Sequence, residues 1–158
     1  MKKITFILFA LIAGTTFAQD SADALTSADI VSPITIVKTV NFNFGQVSNA
    51  GGTVIIATDN TVTGTATKVG TITPTAAAFT VNATDQYTYA VSLPADVTLV
   101  NQTGSGNEEM TVNALGDDSS LKGTGSDETF GVGGTLTVGS SQTPGYYKGT
   151  MTVGVSYN

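Results

Sequence analysis

Residues 78–94 read Ala-Phe-Thr-Val-Asn-Ala-Thr-Asp-Gln-Tyr-Thr-Tyr-Ala-Val-Ser-Leu-Pro, and their alternation decides the fold. Phe79, Val81 and Ala83 fall on one parity against Thr80 and Asn82, and Tyr87, Tyr89, Val91 and Leu93 fall on one parity against Thr88, Ala90 and Ser92. A repeat of two places successive side chains on opposite faces of a pleated strand, so each run buries one face and solvates the other. Further along, Val97 and Leu99, then Met110 and Val112, repeat the pattern. Phe130, Val132, Leu136 and Val138 share a parity with a gap at Gly134, and Met151, Val153, Val155 and Tyr157 share another. No stretch carries apolar residues at helical spacing.

Turn-forming residues separate these runs at Asn49-Ala50-Gly51-Gly52, Asp59-Asn60, Thr103 to Asn107, Gly116 to Ser120, Gly123 to Asp127 and Ser140 to Gly145. Thr, Val, Ala, Gly and Ser dominate while Leu, Glu, Lys and Arg are scarce, a composition for strands and turns rather than helices. The spacing predicts strands near 30–38, 40–44, 53–58, 63–68, 78–83, 86–92, 96–100, 108–115, 128–138 and 146–157. Short strands so spaced argue for an all-β, antiparallel sandwich. Ser32-Pro33 suits the start of a first or edge strand, because proline cannot donate to a ladder. Gly45 and the Gly133-Gly134 pair interrupt apolar runs and are expected to mark a bend, a bulge or a positive φ.

The N-terminus has a different character. Lys2 and Lys3 precede an apolar run from Ile4 to Ala13, and Thr16-Phe17-Ala18 sets small residues three and one positions before a break, the pattern of a secretory signal peptide. An apolar core of about ten residues is half of the roughly twenty that span a bilayer, and no later stretch replaces it, so no membrane span is expected. The expected organisation is a signal peptide at 1–18, a small acidic segment at 19–28 serving as flexible lead-in or donor, and a single sandwich domain at 29–158. A domain of this size buries about two thirds of the surface its unfolded chain exposes, enough for a core without disulfides or metals.

Composition excludes whole classes of chemistry. The chain has no cysteine, histidine, tryptophan or arginine, which removes histidine and cysteine nucleophiles, zinc sites, disulfides and a lipidated N-terminal cysteine. Beyond residue 18 only Lys38, Lys68, Lys122 and Lys148 stand against twelve carboxylates, a net charge of −8, so nucleic acid is not an expected partner. Ser119-Ser120-Leu121-Lys122 spells S-x-x-K, but without a helix start or its partner motifs it reads as a loop. Glu108-Glu109, Asp117-Asp118 and Asp127-Glu128 lie in or beside loops, yet no D-x-D-x-D-G loop is present, so they read as solvated acidic loops rather than a calcium site. No catalytic residue, cofactor or metal ligand is assigned.

Three stretches carry a family likeness: Ser32 to Val47, with Pro33-Ile34 and Phe44-Gly45; Ala78 to Pro94; and Val132 to Asn158. In these the chain resembles the bacterial domain-of-unknown-function family numbered 4402, and the resemblance implies an immunoglobulin-like Greek-key sandwich with no established activity. It is also similar, more loosely, to subunits of chaperone–usher fimbriae and spore-coat-U type pilins. Such subunits end in a strand with a penultimate tyrosine, alternating apolar residues and a glycine fourteen from the end. Here, counting back from Asn158, Tyr157, Val155, Val153, Met151 and Gly145 occupy the second, fourth, sixth, eighth and fourteenth places, with Tyr147 in phase between. The cysteine pair that many of those subunits carry is absent.

That likeness implies a pilin-like domain whose groove takes a strand from another chain. The candidate donor run includes Ala28, Ile30, Ile34 and Ile36 at alternate positions, and self-association or a periplasmic chaperone would be the partners. The expected function is therefore an exported, non-enzymatic structural or surface protein, periplasmic, cell-surface or extracellular. The alternative is a monomeric secreted binding module that presents its acidic loops to a glycan or protein. Intact mass of the exported chain is expected to show a start at Gln19; full-length chain retained in the cytoplasm would contradict the signal peptide.

Overall fold

The computed structural model describes residues 19–104 and 108–158; the expected signal peptide at 1–18 lies outside the described residues. The chain divides between Ile30 and Val31 into two units. In the first, residues 19–30 contain no strand and are exposed throughout.

In the second unit the alternating runs become strands: β1 (Thr35–Val40), β2 (Gly52–Ile56), β3 (Val62–Gly64), β4 (Ala77–Asn82), β5 (Tyr89–Ser92), β6 (Val97–Asn101), β7 (Glu109–Asp117), β8 (Asp127–Val138), β9 (Tyr147–Lys148) and β10 (Gly154–Tyr157). The described residues form no helix, and the strand pairs are antiparallel, as the period of two requires. One sheet runs β1-β4-β8-β7-β6-β9, with β2 attached to β8 and β3 to β2; β10 and β5 form a small second sheet. No described helix is long and apolar enough to cross a membrane.

The twelve residues of β8 organise the large sheet. Residues 127–132 pair with β4 and 134–138 with β2, one after the other along one edge, while 132–137 pair with β7 along the other. Glycines permit this crowding. A Cβ at Gly133 would lie 2.5 Å from the Ile56 carbonyl oxygen. At Gly134 it would lie 2.7 Å from Leu115 Cδ2 and 3.4 Å from the Phe42 ring. Asn113 pairs with Thr135 and Gly116 with Gly133, so two residues of β7 stand opposite Gly134, a β-bulge whose Leu115 side chain fills the space a Cβ would need. Of the three conformations expected for these glycines, Gly45 has a positive φ of 74°, and the Gly133-Gly134 pair faces the bulge from the partner strand.

The buried faces form two clusters. In one, Phe79, Val81, Ala83, Tyr89, Phe130 and Val132 lie under the small sheet, where Val91, Val155 and Tyr157 pack on them with Ile34 and Ile36. In the other, Val54, Ile56, Val97, Val112, Leu136 and Val138 form the inner face of β2, β6, β7 and the end of β8, and Phe42, Phe44 and Val47 from a loop lie against it. Phe42, Leu115 and Met151 touch both clusters. Thus a sheet covers the first cluster, and irregular chain covers the second.

The strand expected at 30–38 begins only at Thr35 and the one at 63–68 ends at Gly64, and two further expected strands differ in kind. Of residues 40–44, Val40 ends β1 against Ala78; beyond it Phe42 and Phe44 are half-buried between exposed Asn41 and Asn43, but only Asn43 bridges, to Thr75, so no further ladder forms. A register shift after Lys38 turns the chain off β4, and the positive φ at Gly45 ends the extended run. The expected strand 146–157 is two strands: Tyr147 and Lys148 pair with β6, Gly154 to Tyr157 pair with β5, and residues 149–153 belong to neither. One strand cannot stay in both sheets, so the chain leaves the large sheet and joins the small one. Valine at Gly134 must displace Leu115 or Phe42, and overpacking of this kind costs about 1–3 kcal/mol; Gly134→Val is expected to lower the melting temperature by several degrees in a calorimetric scan.

Candidate functional site

Incomplete cover over the second cluster leaves a groove of about 1300 Å³. One wall is the start of the domain: Ile36, Lys38 and Val40 from alternate positions of β1, then Phe42 and Phe44. The other wall is its end, Gln142 to Val153. The floor is the inner face of the large sheet, with Val97, Leu99, Met110, Val112, Leu136 and Val138. β1 ends the strand order and pairs with β4 alone among the described strands, so its outer edge faces outward from the ladder. On the opposite wall residues 149–153 are outside any strand. Two stretches of backbone thus flank an apolar floor.

The local chemistry of the last segment explains its course. Asn101 is buried, and its side-chain oxygen accepts hydrogen bonds from the Thr103 N–H at 2.9 Å, the Thr103 hydroxyl at 3.1 Å and the Gly104 N–H at 3.1 Å. The Thr103 hydroxyl oxygen in turn accepts from the Tyr146 N–H at 2.9 Å. Gly145 passes so close to Asn101 that a Cβ there would collide with its amide. The glycine is therefore required by close approach. Tyr147, half-buried, lines the groove, and its hydroxyl donates to the Thr143 carbonyl at 2.8 Å. Gly149 lies against the Thr98 carbonyl, after which Met151 and Val153 turn toward the core.

At the far end, the Tyr157 hydroxyl accepts from the Thr84 N–H at 2.8 Å and donates to the Ser32 carbonyl at 3.0 Å, while its ring meets Tyr87 edge-on at 6.0 Å. The last strand is thereby tied to the residues that lead into the first. Tyr146 projects outward, 63 % exposed.

Of the residues singled out from the sequence, Gly145, Tyr147, Met151 and Val153 line the groove together with Ile36. Val155 and Tyr157 belong to the small sheet and pack on the first cluster, as does Ile34. Ala28 and Ile30 are exposed in the first unit. The floor residues were legible as strand positions, but nothing in their spacing showed that Val97, Val112 and Leu136 would share one face beneath a groove. Lys38 was visible only as one of four lysines; its place on the groove-facing parity of an edge strand comes from the fold.

The acidic loops are largely occupied within the domain. Asp118 accepts from the Gly131 N–H at 2.6 Å, Asp127 from Asn82 at 2.8 Å, Asp117 from the Ser119 N–H at 3.1 Å and Glu108 from the Thr143 hydroxyl at 2.9 Å. Asp59 accepts from the Thr61 N–H within the β2–β3 hairpin, which holds its carboxyl below the usual carboxylate range. Among the described residues no three His, Cys, Asp or Glu side chains gather as metal ligands. In the S-x-x-K stretch the Ser119 hydroxyl donates to Asp117, and Lys122 bridges to Thr88.

A family model described as "Domain of unknown function (DUF4402)" matches residues 34–157, and the chain belongs to that family. Among curated proteins none matches it. The matched span begins at Ile34 and takes in both walls of the groove. Tyr157→Phe takes the acceptor from the Thr84 N–H and one of two donors from the Ser32 carbonyl, and is expected to cost about 1–3 kcal/mol, read as a lower urea midpoint. Tyr146→Phe, on the exposed ring, is expected to stay within about 0.5 kcal/mol.

Proposed function

We propose that this member of the DUF4402 family is an exported, non-enzymatic structural protein that works at the cell exterior by accepting a β-strand from another chain into its groove. In this view the domain is an incomplete immunoglobulin-like sandwich of the pilin-like kind, and its partners are other copies of itself or a periplasmic chaperone. One observation carries the proposal: an apolar floor lies between the outer edge of β1 and the backbone of 149–153, which belongs to no strand. Sheet edges with open hydrogen-bonding groups recruit strands, and an apolar floor beneath adds the burial that makes such recruitment specific.

Supporting it, the carboxylates of the acidic loops serve hydrogen bonds inside the domain, so the groove offers more open surface for a partner than the loops do. A glycan or protein ligand on those loops is the competing function, and one experiment separates the two. Thr150 lines the groove with an exposed side chain. Thr150→Trp is expected to fill the groove while leaving the melting temperature near that of the wild type. Sedimentation of residues 19–158 across a range of concentrations should show assembly for the wild type and a monomer for the variant. A wild-type chain that stays monomeric at every concentration, with no fibres by electron microscopy, would remove strand addition.

A further inference from the structure

We infer that Asn101 and Glu108 hold a bound water between them, at the face of Gly104, and that this water is a structural part of the wall formed by residues 142–147. It belongs to the domain whether or not the groove accepts a strand.

Asn101 ends β6 on the parity of Val97 and Leu99 and keeps only 6 % of its surface exposed. A polar side chain at such a position needs a partner for each of its groups. Its oxygen is well supplied, by the Thr103 N–H, the Thr103 hydroxyl and the Gly104 N–H. Those three donors also fix which end of the amide is which, since a nitrogen in that place would face donors alone. The Nδ2 end therefore points elsewhere, and among the described residues it meets no acceptor. Glu108 has the opposite need. Its Oε1 accepts from the Thr143 hydroxyl at 2.9 Å, while its buried Oε2 meets no donor among the described residues.

Gly104 brings the two needs to one place. A Cβ built on it would lie 3.2 Å from Asn101 Nδ2 and 3.5 Å from Glu108 Oε2, and apart from the glycine's chain neighbours no atom would come closer. Both atoms thus flank the side of Gly104 that carries no side chain. They do not bond each other, and neither is free to swing across. Gly145 backs the Asn101 amide so closely that a Cβ there would collide with it, and the Thr143 hydroxyl holds the Glu108 carboxylate.

The occupant must accept from Nδ2 and donate to Oε2. A cation would suit the carboxylate but face the amide N–H, and an anion would suit the amide but face the carboxylate. Water does both with one oxygen, and it leaves neither buried group unpaired. The consequence for the wall is mechanical. The Tyr146 N–H hangs on the Thr103 hydroxyl, which hangs on Asn101, and Thr143 hangs on Glu108. A water joining Asn101 to Glu108 closes these two attachments into one ring, so residues 142–147 are held by a connected network rather than by two separate ties.

The test is made at Gly104, whose φ lies outside the left-handed region, so a side chain is allowed there. At such a position a change from glycine to alanine ordinarily raises stability by restricting the unfolded chain. Here Gly104→Ala is expected to lower the melting temperature of residues 19–158 by a few degrees, because the methyl group displaces the water and offers no hydrogen bond in return. Gly104→Ser, although larger, is expected to recover most of that loss, its hydroxyl accepting from Asn101 and donating to Glu108. A high-resolution crystal structure of the wild type should show a water within hydrogen-bond reach of both atoms, and oxygen-17 relaxation dispersion should count one fewer long-lived water in the alanine variant. A Gly104→Ala chain that melts at or above the wild-type temperature, or a serine variant no more stable than the alanine one, would overturn the site. So would Asn101 bonded directly to Glu108 in the crystal, an ion seated on the carboxylate at that point, or an unchanged count of long-lived waters.

Discussion

The structure depends on a single twelve-residue strand, β8, that is hydrogen-bonded along both edges. Because β4 and β2 follow one another along one edge while β7 occupies the other, β8 is where residues 52–56, 77–82 and 111–117 are brought into one sheet. The constraint is steric. The backbone of 56–58, at and just after the end of β2, presses on Gly131 and Gly133 so closely that a Cβ at either would collide with a carbonyl oxygen, while at Gly134 the Leu115 side chain of the β7 bulge takes the space. Between these glycines and beyond them, Phe130, Val132, Leu136 and Val138 point into the core, so the strand alternates between close backbone approach and burial.

From that spine the domain acquires a lopsided core. The small sheet is only two strands wide and lies over the cluster of Phe79, Val81, Tyr89 and Phe130. The cluster of Val97, Val112, Leu136 and Val138 is covered instead by Phe42 and Phe44 on one side and Met151 on the other, side chains carried on chain that makes little or no ladder. Side-chain cover without main-chain pairing leaves backbone groups to be satisfied by water or by a partner. The groove is the direct consequence. Its two walls come from the start and the end of the domain, and the Tyr157 hydroxyl ties the last strand to Ser32, just ahead of the first.

The sequence by itself determined the all-β class, the parity of most buried positions and the absence of whole classes of chemistry, because these follow from local periodicity and from which side chains exist at all. Phe79, Val81, Tyr89, Phe130, Val132, Leu136 and Val138 are buried where alternation puts them. Met151, Val153, Val155 and Tyr157 all turn inward, and even in 40–44, where no ladder forms, Phe42 and Phe44 face the core. Facing is set by the pleat of a few consecutive residues. Pairing is not: whether 40–44 finds a partner, and whether 146–157 stays in one sheet or changes sheets, depends on which backbone lies alongside, and that is decided by residues many tens of positions away. The same holds for the groove. Gly145, Tyr147, Met151 and Val153 could be picked out from the end of the chain, but only the tertiary structure set them in one groove with Ile36 and Lys38 and placed Val155 and Tyr157 on the other cluster. Volume and edge exposure are properties of packed surfaces, and no local pattern encodes them.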